Sequence, residues 1–245
     1  MQFGNRPRWL TVAEGSRQYV RRLTTAIGTG LRTGLGVRKI ARQGGAILIE
    51  DQHGVVRSFT HVVVAAHADQ ALVLLDDPNA DERRLLGAFK YSSNRTLLHS
   101  DPALMPYRRR VWSSWNFIGG ERSTNDQVPC VSYWMNRLQG IDARHPLFVT
   151  LNPIREPRGD LVYREFLYTH PLFDQAALRA QRDLWQLQGR RNTWFCGSYF
   201  GYGFHEDALQ SGLAVAEDLG GVRRPWTVAN KSGRIFAGAP DLVAA

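Results

Sequence analysis

The stretch Ser198-Tyr-Phe-Gly-Tyr-Gly-Phe204, followed by His205 and Glu206, is the part of this chain whose residue types and spacing could do chemistry. Aromatic side chains alternate there with Gly201 and Gly203, and neither a helical nor a strand period survives. From His205 onward the spacing turns helical, with Ala208, Gly212 and Ala216 on one stripe, Leu209 and Leu213 beside them, and Gly220 as the stop. A helix that begins directly after a glycine-rich turn presents unpaired backbone N–H groups and a partial positive charge, so electron-rich oxygens are stabilised in front of it. The small-residue stripe predicts close approach to a flat partner or a neighbouring strand. Ordinary helix-to-sheet packing explains that stripe equally well, and spacing alone leaves the two open.

The elements that must position this stretch are legible on either side of it. Thr193 to Cys196 is a short apolar run closed by Gly197, which predicts a buried strand, so the order is strand, glycine-rich crossover, helix. Before it, Asp174 predicts the cap of a helix carrying Ala177, Ala180, Leu184 and Leu187 on one face and ending at Gly189. Near the start, residues 8–14 lead through Gly15-Ser16 to a helix with Tyr19, Val20, Leu23 and Ile27 at helical spacing, ending at Gly28. Val37 to Arg42, Ala46 to Glu50, Val55 to Phe59 and His61 to Ala66 read as four short strands, with Gly44-Gly45 and Asp51 to Gly54 as hairpin turns. The last of the four is apolar throughout, which predicts burial on both faces. A short helix is predicted over Asp69 to Leu75.

From Tyr91 to Tyr168 longer alternating strands take over: YSSNRTLLHS, RVWSSWNF, CVSYWMNRL, LFVTLN and DLVYREFLYTH. They predict an antiparallel sheet on which Trp112, Trp115, Tyr133 and Trp134 serve either as core or as a substrate-facing surface. The tail after Pro225 has too little periodicity to assign.

The loop and helix at 196–212 resemble the C-terminal flavin motif of the FAD-dependent amine oxidase and phytoene desaturase superfamily. The matching pieces are Cys196-Gly197, Gly203-Phe204-His205-Glu206, Ala208 and Ser211-Gly212. More narrowly, FCGSYFGYGFHEDALQSGLAVAE, together with YTHPLFD at 168–174 and LWQLQG at 184–189, resembles a bacterial group described as NAD/FAD-binding or amine-oxidase-like.

The resemblance implies a mixed α/β fold. It comprises the C-terminal part of a Rossmann-type FAD-binding domain with a β-meander (1–75 and 190–222), an antiparallel-sheet substrate domain (76–189) and a tail (223–245). It implies FAD as cofactor, with contacts from Val37, Gly197, Ser198, Gly203, Phe204, His205 and Ala208. Val37 stands with Ile40 in the phrase whose valine backbone meets the adenine, and the His205 N–H faces the N1/C2 carbonyl end of the flavin ring. The ring binds between the two domains and accepts two electrons, so the protein mainly supplies position and electrostatics. Two aromatics facing the flavin have counterparts among Tyr199, Phe200 and Tyr202. The lysine that reaches a water near flavin N5 in the amine oxidases is matched by Arg95. Arginine stays protonated and can only orient water or bind an anion, which argues against amine oxidation.

No GxGxxG after a strand, with an acidic residue about twenty positions on, occurs in the chain. GTGLRTGLG at 28–36 follows a predicted helix, so the phosphate-binding mechanism does not apply to it. The resemblance covers residues 7–226 but only the later part of a full-length member, so the N-terminal βαβ unit is read as absent and the chain as a fragment, a truncated reading frame or a separately encoded piece. The expected reaction is hydride removal from a C–N or C–C bond of a small-molecule or acyl substrate. Members of the group are encoded near cyclopropane-fatty-acid synthases, which favours an acyl chain. The alternative is a non-catalytic remnant or a partner-binding module.

Composition sets the outer limits. With 245 residues and 43% hydrophobic content the chain can bury a core of one large or two small domains. It has no run of eighteen apolar residues and no signal-peptide core in MQFGNRPRWL, which predicts a soluble cytoplasmic protein. Cys130 and Cys196 are far apart and outside any metal spacing, so neither metal nor disulfide is expected. The net charge of +9 is nearly all arginine, since the only lysines are Lys39, Lys90 and Lys231, and only Arg108–Arg110 cluster. That scatter argues against nucleic acid and leaves attraction to anionic substrates or a peripheral membrane contact. Oligomeric state is left open.

Overall fold

A computed structural model describes residues 10–119 and 129–237. Arg8 and Trp9 of the stretch 8–14, and residues 238–245 of the tail, lie outside the described residues. The chain separates into two compact units. The first takes in the described residues up to Arg32 together with those of Ser93–Thr169, and the second takes in Thr33–Ser92 together with the described residues from His170 on. Along the chain run α1 (Arg17–Ile27), β1 (Val37–Gln43), β2 (Ala46–Asp51), β3 (Val56–Phe59), β4 (Val62–Val64), α2 (Ala68–Leu74), α3 (Ala80–Leu86) and β5 (Lys90–His99). They are followed by β6 (Trp115–Ile118), β7 (Cys130–Trp134), α4 (Met135–Gln139), β8 (Phe148–Leu151), β9 (Val162–Leu172), α5 (Gln175–Asp183), β10 (Thr193–Phe195) and α6 (His205–Gly220). Among the described residues the architecture is mixed α/β with three sheets.

In the second unit β1, β2 and β3 form an antiparallel meander. The β1–β2 turn holds Gly44 at φ 58° and Gly45 at φ 82°, the positive values that a two-residue hairpin turn matching strand twist requires. At the β2–β3 turn the buried Asp51 carboxylate accepts the N–H groups of His53 (2.9 Å) and Val55 (3.1 Å) and the Arg57 guanidinium (2.7 Å). β4 pairs in parallel with β10, far along the chain. Ile40, Ile47, Val64, Phe89, Leu184 and Phe195 are all nearly wholly buried in one core.

Several expectations need correction. The apolar run 61–66 is not buried on both faces: Val64 is, but Val63 is 40% exposed, because β4 belongs to a two-stranded sheet. Helix α3 falls where no element was predicted. The two units meet along the chain at 32/33, 92/93 and 169/170. Leu85 and Leu86 of α3, Phe89, and Ala177, Leu184 and Leu187 at and after α5 all join the core of the second unit, which draws 76–92 and 170–189 into it.

The first unit is built on a five-stranded sheet in the order β6-β7-β8-β5-β9, with β6–β7, β7–β8 and β8–β5 antiparallel. Two predicted strands are shorter than their patterns. In RVWSSWNF only Trp115–Ile118 is strand, because the Asn116 side chain accepts the Ser113 N–H (2.9 Å) and donates to the Ser113 carbonyl (2.8 Å), closing a local loop that competes with the ladder. CVSYWMNRL leaves the sheet at Met135, and left-handed Gly140 ends the short helix that follows.

A buried polar relay crosses this sheet. The Asp101 N–H donates to Nδ1 of His99 at 3.1 Å, so Nε2 carries the proton and donates to Thr150 Oγ1 at 2.8 Å. Thr150 then donates to Ser132 Oγ (2.7 Å) and Ser132 to the Leu104 carbonyl (2.9 Å), and His99, Thr150 and Ser132 are fully buried. Burial lowers the His99 pKa, so the unfolded chain takes up a proton that the folded chain refuses. The stability this confers is present above the ordinary histidine pKa of about 6.5 and is lost as pH falls below it, by up to roughly 1.4 kcal/mol per pH unit. Urea unfolding between pH 8 and pH 5 is expected to show that slope. A His99→Gln chain is expected to be less stable but flatter over the same range; an unchanged slope would assign the acid sensitivity elsewhere.

Candidate functional site

The 196–212 stretch folds as the spacing predicts: β10, a tight loop, then α6. The Cys196 N–H continues the β4 ladder by donating to Val64 O at 3.2 Å. At Gly197 the reason for glycine is local, since a Cβ would lie 2.7 Å from the Tyr199 ring. At Gly201 a Cβ would lie 2.6 Å from the Asp207 carboxylate and 2.7 Å from the Arg234 carbonyl. Gly203 adopts φ 89°, and its N–H donates to Ser198 O at 3.1 Å, closing the loop on itself. The buried Gln181 of α5 holds the loop from beneath, donating to the carbonyls of Tyr199 (2.9 Å) and Gly201 (2.5 Å).

Helix α6 packs through a different face from the one expected. Its buried residues are Asp207, Gln210, Ser211, Ala214 and Val215, whereas a Cβ on Gly212 would meet nothing within 4 Å and Ala216 is exposed. The stripe of Ala208, Gly212 and Ala216 is therefore not the close-packed face, and bulk at 212 has room. Polar satisfaction sets the rotation of the helix: Ser211 Oγ accepts the Gly197 N–H at 3.0 Å, and the Asp207 carboxylate accepts the Phe204 N–H at 2.7 Å. The helix runs one residue past the expected stop, ending on left-handed Gly221.

At the N-terminus of α6 the backbone N–H groups of His205 and Glu206 have no partner among the described residues. Gly203, Phe204 and His205 are exposed around them. Arg234 reaches back from the tail, its Nε donating to Asp207 Oδ1 at 2.6 Å while its guanidinium lies 5.1 Å from the Tyr202 ring and 5.8 Å from the Phe204 ring. Asp207 is thereby ion-paired, while Glu206, the other acid of the first turn, is exposed and accepts the Gln210 amide at 2.8 Å. Of the three aromatics considered for a ligand-facing pair, Tyr199 and Phe200 are each 1% exposed and belong to the core, edge-on to Phe89 and Trp185. Only Tyr202 faces outward.

Gly197, Ser198, Gly203, Phe204, His205 and Ala208 are thus brought together on one loop and the first turn of α6. Val37, exposed at the start of β1, lies in the same unit. Arg95, in β5 of the first unit, donates to Glu165 through Nε (3.0 Å) and to Glu156 (2.5 Å), and it holds both carboxylates below their usual range. The aromatics of this unit divide by role. Trp112 packs edge-on against Trp134 (5.4 Å) and Phe148 (5.6 Å), whereas Trp115 is half exposed and lines an open groove of about 730 Å³ with Leu10, Ser114, Met135 and Arg137.

Asp207, Gln181 and Arg234 were not picked out from sequence, whereas Ser211 was, in the Ser211-Gly212 pair. Asp207 had a signal, an acid three residues after the residue preceding a helix. Arg234 had none, because its partner lies 27 residues away in a tail without periodicity.

No protein-family model matches the chain, and no curated protein matches it. Solved structures share its fold. A CLA-producing fatty acid isomerase from P. acnes aligns with TM-score 0.56 and 14% identity over 79% of this chain and 49% of the isomerase. Wild-type putrescine oxidase bound to putrescine aligns with TM-score 0.59 and 12% identity over 86% of this chain and 54% of the oxidase. Reduced UDP-galactopyranose mutase aligns with TM-score 0.52 and 14% identity over 86% of this chain and 52% of the mutase. The chain spans about half the length of each.

Proposed function

We propose that this chain carries the later part of an FAD-dependent oxidoreductase of amine-oxidase-like type. In this reading the second unit holds the ring end of the cofactor and the sheet of the first unit presents the substrate surface. The observation that carries it is the start of α6, where two backbone N–H groups without a partner among the described residues, exposed Phe204 and Tyr202, and an Asp207 paired with Arg234 come together. Fold likeness to an oxidase, and to a mutase described in its reduced form, supports the same reading. These residues fit an electron-rich ring carbonyl: His205 N–H donates to it, Gly203 allows close approach, and the helix end stabilises negative charge. Bound there, the flavin supplies two-electron acceptance from a C–N or C–C bond of a small-molecule or acyl substrate. Arg95 is permanently protonated and occupied by two glutamates, so in this scheme it orients groups and takes no proton.

A His205→Pro variant tests the assignment. Proline at the first helical position keeps the helix while removing the N–H, and Phe204 before it already has the extended backbone that a following proline requires. The parent chain is expected to purify colourless or with less than one FAD, since its sequence lacks the pyrophosphate-binding fingerprint, and to take up added FAD. His205→Pro is expected to weaken that uptake about tenfold with little change in melting temperature. Stoichiometric flavin on purification would overturn the part-chain reading. No uptake by the parent would favour the alternative, a non-catalytic remnant or partner-binding module.

A further inference from the structure

Helix α1 buries none of its residues. Successive positions turn by 100°, so Tyr19, Val20, Leu23, Ala26 and Ile27 share one arc, and Arg17, Gln18, Arg21, Arg22, Thr24 and Thr25 take the other. The apolar arc faces outward, with Leu23 61% and Ile27 57% exposed. Leu10 and Val12 before the helix and Leu31 after it are exposed as well. Across residues 10–36 there are four arginines, at 17, 21, 22 and 32, and a single acid, Glu14, which accepts the Gln18 side-chain amide.

We propose that α1 is a peripheral membrane-binding helix that lies in the headgroup region of a bilayer containing anionic phospholipid. At 11 residues it is about 16 Å long, too short to cross a hydrocarbon core of about 30 Å, so it lies in the plane of the interface. Its apolar arc enters the acyl boundary while Arg22, beside Ala26 at one edge, and Arg17, just beyond Thr24 at the other, reach the phosphates. Arg21 and Arg32 add to the attraction for negative lipid. A second copy is a poorer occupant, because two-fold pairing of the apolar arcs would bring the arginines that flank them, Arg17 and Arg22, close to those of the partner with no acid in the helix to offset them. An anionic bilayer meets both halves of the pattern at once. This inference uses no residue of the proposed cofactor site.

Co-sedimentation of the full chain with vesicles of phosphatidylcholine, with and without phosphatidylglycerol, tests it. Binding to the phosphatidylglycerol vesicles is expected to exceed binding to phosphatidylcholine alone by on the order of a hundredfold, and to fall as salt is raised. The double variant Leu23→Glu/Ile27→Glu is expected to lose binding while keeping the parent melting temperature, since both side chains are already exposed. Absence of binding, equal binding to the two vesicle types or retention by the double variant would overturn the proposal. A drop in melting temperature in that variant would do so too, because it would place the arc against protein. Light scattering closes the remaining alternative: a parent dimer that becomes monomeric in the double variant assigns the face to a second copy.

Discussion

Glu82→Ala is expected to lower the stability of the second unit by roughly 3–5 kcal/mol, the scale for leaving one member of a buried ion pair without its partner. The side chains of Glu82 and Arg42 are 2% and 3% exposed, and Arg42 donates to both carboxylate oxygens, at 3.0 Å for Oε2. The same carboxylate accepts the Asn79 N–H at 2.8 Å while Asn79 Oδ1 accepts the Glu82 N–H at 2.9 Å, a reciprocal cap on α3. Truncation therefore removes a cap and strands a guanidinium, for which Asp77, itself 41% exposed, is an incomplete substitute. Chemical denaturation of Glu82→Ala, Arg42→Met and an Arg42→Met/Glu82→Leu double variant separates the effects. Each single change is expected to be severe, and the double variant is expected to recover much of the loss because no charge is left buried. A Glu82→Ala loss below about 1 kcal/mol would mean that water reaches the pair.

That ion pair shows why part of this fold could be read from sequence and part could not. The meander, α5 and the β10-to-α6 turn are legible because their signals are local: positive-φ glycines at 44 and 45, Asp174 accepting the Ala177 N–H at 2.9 Å, and a glycine run before helical spacing. Arg42 and Glu82 stand 40 positions apart, and nothing around either one announces burial. The same applies to α6, whose packed face is chosen by Asp207, Gln210 and Ser211. Their partners are a distant arginine and backbone groups, so a hydropathy pattern points to the opposite face. Tyr199 and Phe200 sit in a glycine-rich loop that looks exposed by composition, yet the loop is short enough to pull both rings into the core. Polar residues that bury themselves by satisfying backbone groups are common to the ion pair and to the packed face of α6.

Gly203→Val is the second large expected effect, and it tests packing and cofactor binding together. At φ 89° a β-branched residue is held in a region it rarely adopts, at a cost of about 1–3 kcal/mol. A Cβ there would also lie 3.0 Å from the Phe173 ring, so the ring must move or the loop must open, for about 1–3 kcal/mol more. A lower melting temperature alone therefore does not mark Gly203 as a cofactor residue, because Phe173 already supplies a packing reason for glycine. Adding Phe173→Leu separates the two demands, since the smaller side chain relieves the clash without restoring the open approach to the loop. In the Gly203→Val/Phe173→Leu chain, melting temperature is expected to recover in part while FAD affinity stays well below that of Phe173→Leu alone. If FAD affinity recovers along with melting, Gly203 serves the protein interior only. The flavin reading of the loop would then rest on the His205 N–H, which His205→Pro tests without touching Phe173.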